Sequence, residues 1–213
     1  MPTARLRLIT SVMLSAILGA ILAAGQAGIP PSDIRTEFLK RFVAAALERT
    51  HHSVRYDSAY TGIPYPNGDV SADTGVCTDE VIRAYRAVGV DLQKEVHEDM
   101  KRNFATYPRF GPHPARRPDT NIDHRRVPNL MVFFSRQGAA LKITDHAEDY
   151  APGDLVAWDL GGNVTHIGIV VDQKSPANER WMIVHNIGRG PKLEDVLFDW
   201  KIIGHYRYFG PQP

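Results

Sequence analysis

The chain has 213 residues, of which 43% are hydrophobic and 23% are charged, and its formal net charge is +1. This is ordinary globular composition for one domain with a sizeable core, and the near-neutral charge argues against a nucleic-acid partner. A single cysteine excludes an internal disulfide and a zinc site built from cysteine pairs.

The first residues have the pattern of an export signal. Arg5 and Arg7 precede an apolar run from Leu8 to Leu22. Small residues follow this run at Ala23, Ala24, Gly25 and Ala27. The run is short for a membrane span of about 20 residues, so a cleaved signal is favoured over a retained anchor. We expect residues 1–27 to be a signal peptide and residues 28–213 to form one periplasmic or secreted domain. Any membrane contact would come only from an uncleaved signal.

The expected domain begins with a helix and continues into a polar loop. Ser32 or Asp33 can cap a helix that runs to about Thr50. The stretch from Tyr60 to Gly75 is rich in glycine, proline and aspartate, which predicts an ordered loop. Three aromatic residues of this region either form the wall of a cleft beside the cysteine or pack the loop down: Tyr56, Tyr60 and Tyr65.

Cys77 lies where this loop gives way to a helical pattern. Apolar residues recur with a period of about 3.6 from Val76 to Val88, and Gly89 follows where a helix can end in a left-handed residue. The first turn of a helix favours a thiolate and lowers the thiol pKa, and the thiolate is the form that attacks a carbonyl. The alternative is a small buried hydrophobic residue. Export strengthens the catalytic interpretation, because a lone thiol in an oxidising compartment is a liability unless it is buried or used.

A second helix and a long basic loop come next. Asp91 can cap a helix that covers Leu92 to Phe104. The stretch from Tyr107 to Pro128 has five prolines and an excess of arginine, and a loop of this length is usually functional or mobile. Within it, Arg125 and Arg126 are candidates for binding substrate carboxylates, because the guanidinium fork matches a carboxylate. The alternative is a solvated surface loop.

The last third of the chain changes to a strand-like pattern. A short predicted helix, residues 129–137, precedes four β-rich runs. These runs are Asp154–Leu160, His166–Asp172, Trp181–Asn186 and Gly204–Phe209. Helices first and clustered strands later predict an α+β fold with an antiparallel sheet.

Two histidines stand at matching ends of neighbouring runs. If the second and third runs pair as an antiparallel hairpin, His166 lies beside His185. Asn186 would then be on the other face, and Gly168 would leave room beside His166. These histidines are placed to serve a thiol, which needs a base and an orienting group, although each alone reads as a half-buried strand residue. The sequence shows no motif for a metal or a nucleotide, so we expect no metal and no cofactor.

Several motifs of the chain resemble those of known protein families. A cysteine that opens a helix, a histidine that opens a strand and a polar residue that ends the next strand resemble the papain-like NlpC-type cell-wall cysteine peptidases. Residues 152–156 and 166–170 are similar to the two-strand signature of that superfamily. Five longer motifs look like bacterial domain-of-unknown-function family 1287, which is grouped with the papain-like clan, and this likeness covers nearly everything after about Leu39. The motifs are Gly75-Val76-Cys77-Thr78-Asp79, Val96-His97-Glu98-Asp99-Met100, residues 121–129, Val184-His185-Asn186-Ile187-Gly188 and Gly204-His205-Tyr206-Arg207-Tyr208.

The resemblance implies a papain-like (NlpC-type) fold with N-terminal helices and a C-terminal antiparallel sheet. It implies a cysteine hydrolase that cleaves amide bonds in peptidoglycan peptides or in other peptides. We expect the protein to be a monomer. Residue by residue, Cys77 becomes the nucleophile, His166 the general base and His185 the orienting third residue. The candidate substrate-binding residues are Tyr65, Asp79, Arg125, Arg126 and Asn186.

Two departures from the NlpC-type pattern bear on the substrate. Thr78 and Asp79 follow the cysteine where small residues such as serine are usual, and a long basic insert separates the cysteine helix from the sheet. The alternatives to a hydrolase are a non-catalytic module that binds cell-wall peptides and a thiol acyltransferase or transpeptidase. The order of cysteine before histidine argues against the circularly permuted relatives that act on lipids.

Overall fold

The computed structural model describes residues 31–109 and 116–211, so the predicted signal peptide at residues 1–27 lies outside the described residues. The α-helices are α1 (Pro31–Arg49), α2 (Cys77–Ala87), α3 (Leu92–Asn103) and α4 (Val127–Arg136). Short 3-10 helices occupy Phe104–Thr106, Asp123–Arg125 and Ala147–Asp149. None of the helices in the described part of the chain combines the length and the apolar character that a membrane span requires.

The strands of the described residues form two sheets. A small parallel pair joins β1 (Arg55–Tyr56) to β2 (Thr74–Gly75) just before the cysteine. The larger sheet has the order β6-β5-β4-β3-β7, and each neighbouring pair in it is antiparallel. Its strands are β3 (Leu155–Asp159), β4 (Thr165–Lys174), β5 (Trp181–His185), β6 (Lys192–Glu194) and β7 (Lys201–Tyr206). The α+β prediction with an antiparallel sheet is therefore confirmed.

The central strand β4 is buried on both faces. Successive side chains of a strand point to opposite faces of the sheet. Ile167 and Ile169 belong to the larger core cluster, which includes buried residues of α1, α2 and α4. Val170 belongs to a second cluster with Trp158, and Leu197 covers that face. Burial on both faces explains why the middle of β4 is a continuous apolar run.

The basic loop is shorter than predicted at its C-terminal end. The prediction extended it to Pro128, but α4 begins at Val127 and includes that proline in its first turn. The first turn tolerates proline because its N–H groups have no partner within the helix. A 3-10 helix, Asp123–Arg125, precedes α4 and is buried. The basic residues immediately before α4 are thus part of the folded structure.

Two strand predictions are corrected. Strand β6 was not predicted, because its three residues are too few for an alternating pattern to stand out. Strand β7 begins at Lys201, three residues before the predicted start at Gly204. An irregular register between β3 and β7, at Ala157/Trp158, accommodates this longer strand.

Candidate active site

Helix α2 begins at Cys77, as the sequence predicts. Val76 precedes it with extended backbone, and the N–H of Val76 donates to Oδ2 of Asp79 at 2.7 Å. At the other end of the helix, Gly89 has a φ of +88°, in the left-handed region expected for a C-terminal cap. The sulfur therefore lies at the end of α2 where backbone N–H groups lack helical acceptors.

Burial decides the ionisation of this thiol. Cys77 is buried, and burial raises the pKa of its thiol to about 12. The backbone N–H groups of Ile167 and Thr78 act in the opposite direction, whereas the charge of Asp79 adds to the increase. The predicted lowering of the pKa was wrong for this structure, because the loss of hydration outweighs the helix N-terminus. The thiol is protonated at neutral pH in this conformation.

Asp79 and Arg125 join the first turn of α2 to the segment before α4. Nε and Nη2 of Arg125 donate to the two carboxylate oxygens of Asp79 at 2.8 and 2.9 Å, and each side chain is only 2% exposed. The hydroxyl of Thr78 donates to the carbonyl of Arg125 at 3.0 Å. The charged groups of these two candidate substrate-binding residues are therefore directed at each other. Breaking a buried pair of this kind costs about 3–5 kcal/mol.

An open cavity of about 320 Å³ lies at Cys77. Its lining residues are Tyr56, Ser58, Val76, Cys77, Arg125, Arg126, Val127, Pro128, Asn163 and Thr165. Arg125 also holds one wall in place, because its guanidinium donates to the carbonyls of Asp57 and Ala59, each at 3.4 Å. Arg126 lines the cavity with a third of its side chain exposed, and its Nη1 lies 3.7 Å from a carboxylate oxygen of Asp123. The expected contact of Arg126 with a substrate stays a prediction.

Tyr56 and Tyr65, two of the aromatic residues predicted to lie near the cysteine, occupy different places. Tyr56 lines the cavity, and burial together with the charges of Cys77 and Asp79 raises its pKa to about 12. Tyr65, a candidate substrate-binding residue, does not line it. The hydroxyl of Tyr65 donates to Glu98 at 3.1 Å, and its ring contacts the ring of His97 with the centroids 5.0 Å apart. Tyr65 therefore helps to pack the loop against α3.

The structure brings the two histidines together and adds a third group. Nε2 of His166 lies 2.8 Å from Nδ1 of His185, and Nε2 of His185 lies 2.8 Å from a carboxylate oxygen of Glu194. We call these three side chains the histidine relay. Glu194 was missed because it lies on β6, and the only sequence signal for it is the polar–apolar–polar pattern of residues 192–194.

Both imidazoles of the relay are neutral at neutral pH. Burial, followed by the proximity of His185, lowers the pKa of His166 to about 3. Burial also lowers the pKa of His185, although the hydrogen bond and the charge of Glu194 oppose this. The indole rings of Trp158 and Trp200 cover His166, with centroids 5.8 and 6.0 Å from its ring. Neither ring therefore carries a positive charge that would stabilise a thiolate in this conformation.

Gly168 and Asn186 flank this pair. A methyl group on Gly168 would lie 2.6 Å from Cγ2 of Ile183 and 3.1 Å from Cβ of His185. The missing side chain thus makes room for Ile183 and His185 on the neighbouring strand, and the predicted room beside His166 stays a prediction. Asn186 is fully buried; its Oδ1 accepts from the N–H of Gly188 at 3.1 Å, and its Nδ2 has no partner among the described residues.

The Cys77 sulfur lies against the backbone of β4 at Ile167, the residue after His166. The sulfur faces the backbone N–H of Ile167. The thiol of Cys77 and the imidazole of His166 therefore lie on opposite sides of β4. Cys77 belongs to the core cluster on the helix side, and His166 packs against Trp158 on the other side. Within residues 31–109 and 116–211, no hydrogen bond joins the sulfur to either imidazole. The same residues contain no group of three or more His, Cys, Asp or Glu side chains arranged to hold a metal ion.

Comparison with known proteins finds matches over most of the chain. A family model described as "Domain of unknown function (DUF1287)" matches residues 43–208. The chain is 45% identical over 183 residues to "Uncharacterized protein YijF" of Escherichia coli strain K12, a match that covers 85% of this chain and 88% of that relative. Neither description names an activity.

Proposed function

The chain belongs to the DUF1287 family, and we propose that it is an exported cysteine hydrolase that cleaves amide bonds in cell-wall peptides. The observation that carries this proposal is the position of the histidine relay. His166, at one end of the relay, directly precedes Ile167, and the N–H of Ile167 faces the Cys77 sulfur. The antiparallel sheet with a cysteine-bearing helix against it supports a papain-like fold, as the sequence resemblance implies.

The proposed reaction begins with transfer of the thiol proton from Cys77 to His166. The thiolate attacks the amide carbonyl, and the backbone N–H of Cys77 stabilises the oxyanion. His166 then returns the proton to the departing amine, and a water molecule hydrolyses the thioester. This sequence requires a change of conformation that brings the sulfur and His166 together, because the sulfur lies with Ile167 on the helix side of β4 whereas His166 packs against Trp158 on the other side.

The substrate and the compartment are inferred from separate features. The basic segment and apolar run at residues 5–22 support export, and peptides of the cell wall lie outside the cytoplasm. The open cavity at Cys77 is the proposed binding site for the peptide, and Arg126 in its lining, which also pairs with Asp123 at 3.7 Å, is the proposed cation for a substrate carboxylate. We therefore propose peptides that carry free carboxylates, of which cell-wall peptides are an example.

Incubation with purified cell-wall peptides tests the proposal. The wild-type protein is expected to release shortened peptides that mass spectrometry detects, and Cys77→Ala is expected to release none while retaining its circular dichroism spectrum. Equal product from both proteins would reject Cys77 as the nucleophile. Products that contain an added amine, such as hydroxylamine, in place of water would instead indicate an acyltransferase.

A second candidate function is a module that binds cell-wall peptides without cleaving them. The burial of Cys77 and its raised thiol pKa favour this alternative, because a binding module has no need of a reactive thiolate. Iodoacetamide discriminates between the two. Alkylation near neutral pH that slows in His166→Ala supports the hydrolase, whereas slow alkylation that the histidine change does not affect, together with peptide binding, supports the binding module.

A further inference from the structure

We propose that Glu194 fixes the tautomers of the histidine relay, so that His166 presents an unprotonated Nδ1. The inference starts from the carboxylate. An ionised carboxylate can only accept hydrogen bonds, and Glu194 lies 2.8 Å from Nε2 of His185. Nε2 of His185 must therefore carry a proton, because two lone pairs would otherwise face each other at this distance.

The proton on Nε2 determines the other nitrogen of the same ring. Burial keeps His185 neutral at neutral pH, and a neutral imidazole carries one proton only. Nδ1 of His185 is therefore an acceptor. The only atom that Nδ1 faces at hydrogen-bond distance among the described residues is Nε2 of His166, 2.8 Å away. Nε2 of His166 must be the donor in this hydrogen bond.

The same reasoning applied to His166 leaves Nδ1 with its lone pair. His166 is neutral, because burial lowers its pKa to about 3. With its single proton on Nε2, Nδ1 is the free basic atom of the relay. One carboxylate at the edge of the sheet thus determines which nitrogen of a ring two hydrogen bonds away is available as a base.

The sheet explains why Glu194 occupies this place. Ile183 is the register partner of Glu194 across β5 and β6. His185 is two residues after Ile183, so its side chain is on the same face of the sheet. The Glu194 side chain is about half exposed, whereas that of His185 is 1% exposed. Glu194 is therefore a positioning residue that acts through His185. The tautomers are independent of the proposed reaction, and only their catalytic use rests on the proposed function.

Nitrogen NMR of the full chain labelled with 15N-histidine tests the proposal, because protonated and unprotonated ring nitrogens have well-separated chemical shifts. Near neutral pH, His166 and His185 are both expected to carry their proton on Nε2. A proton on Nδ1 of His166 in the wild-type protein would overturn the proposal.

Variants at position 194 test whether Glu194 determines the tautomers of His166 and His185. In Glu194→Lys the ammonium can only donate, so both rings are expected to move their protons to Nδ1 together. Glu194→Gln, whose carboxamide can donate or accept, is expected to add a population with this reversed arrangement. The exposed Glu37 on α1 provides the matched control Glu37→Lys, which should leave both rings unchanged. Absence of any reversal in both variants at position 194 would reject the role of Glu194.

Measurements of peptide cleavage distinguish a failure of this inference from a failure of the proposed function. If cell-wall peptides are cleaved, Glu194→Lys is expected to lower kcat roughly tenfold or more with little change in KM. A wild-type protein that has the expected tautomers but cleaves nothing would retain the role of Glu194 in the relay and reject the hydrolase.

Discussion

Two buried histidine clusters on the same sheet differ in what their imidazoles can do. In the histidine relay, His166 and His185 bond to each other, and a carboxylate contacts only the far end. In the second cluster, which we call the histidine clamp, Nδ1 of His205 lies 2.9 Å from the carbonyl of Lys142 and Nε2 lies 2.8 Å from Asp154. Both nitrogens of His205 therefore face oxygen atoms at hydrogen-bond distance, and neither nitrogen is left open toward a substrate.

The carboxylates account for this difference. Asp154 of the clamp is fully buried and also accepts from Nε and Nη2 of Arg207 at 2.6 and 3.0 Å. The clamp thus joins β7 to the residue before β3 and to the carbonyl of Lys142, and Tyr150 stacks on His205 with the ring centroids 4.2 Å apart. A fully bonded histidine of this kind stabilises the fold, whereas a histidine with one unbonded nitrogen can take up a proton.

The largest expected effect is on the clamp. Asp154→Ala should lower the free energy of unfolding by about 3–5 kcal/mol, because it leaves Arg207 and His205 without their buried partner. Urea denaturation monitored by circular dichroism measures this change. Asp145→Ala is the matched control, since the Asp145 side chain is 96% exposed. A loss below about 1 kcal/mol would show that the clamp contributes no more than a surface ion pair.

The next effect is on the relay and concerns activity. His166→Ala should lower the rate of peptide cleavage about 100-fold, because it removes the proposed general base. His205→Gln should lower the temperature of unfolding but leave the cleavage rate of the folded protein unchanged. Product release followed by mass spectrometry at a temperature where both variants are folded makes the comparison. Equal loss of activity in both variants would remove the distinction between relay and clamp.

The smallest effect is the pH dependence of stability. Burial lowers the pKa of His166 to about 3, below its ordinary value of 6.5, so the unfolded chain binds the proton more tightly. The resulting stabilisation is complete above about pH 6.5 and is lost as the pH falls toward 3. Over this window His166 should contribute a slope of about 1.4 kcal/mol per pH unit to the free energy of unfolding. Urea denaturation between about pH 4 and pH 6 measures it.

His166→Ala should remove this slope. His124 provides an internal reference, because burial lowers its pKa to about 4 and its contribution remains in both proteins. An unchanged slope in His166→Ala would mean that burial does not lower the pKa of His166 in the folded protein. The assignment of His166 as neutral between pH 4 and pH 6 would then be wrong.

Several features of the site were predictable because their signals are local. The apolar period after Val76, ended by Gly89, predicted the helix that begins at Cys77. The positions of His166 and His185 at opposite ends of two β-rich runs predicted their contact, because an antiparallel hairpin brings such ends together. The α+β class followed in the same way from helical periods early in the chain and strand-like periods late in it.

Other features depend on contacts between distant parts of the chain. Asp79 and Arg125 are 46 residues apart, and nothing near either residue indicates that they form a buried pair. The helix N-terminus at Cys77 was apparent from the sequence, but the thiol pKa was not, because desolvation depends on how α2 packs against β4. Strand β6 was not predicted, and therefore the role of Glu194, which lies on it, was not predicted either.

The amino-acid sequence by itself determined which residues begin and end the elements, and therefore that a cysteine opens a helix and two histidines meet across a hairpin. Backbone caps and side-chain periodicity act over a few residues, so they can be read along the chain. The tertiary structure alone decided which charges are paired, which groups lose their hydration and which nitrogen of His166 is unbonded. These properties depend on the summed surroundings of each atom, to which residues from every part of the fold contribute.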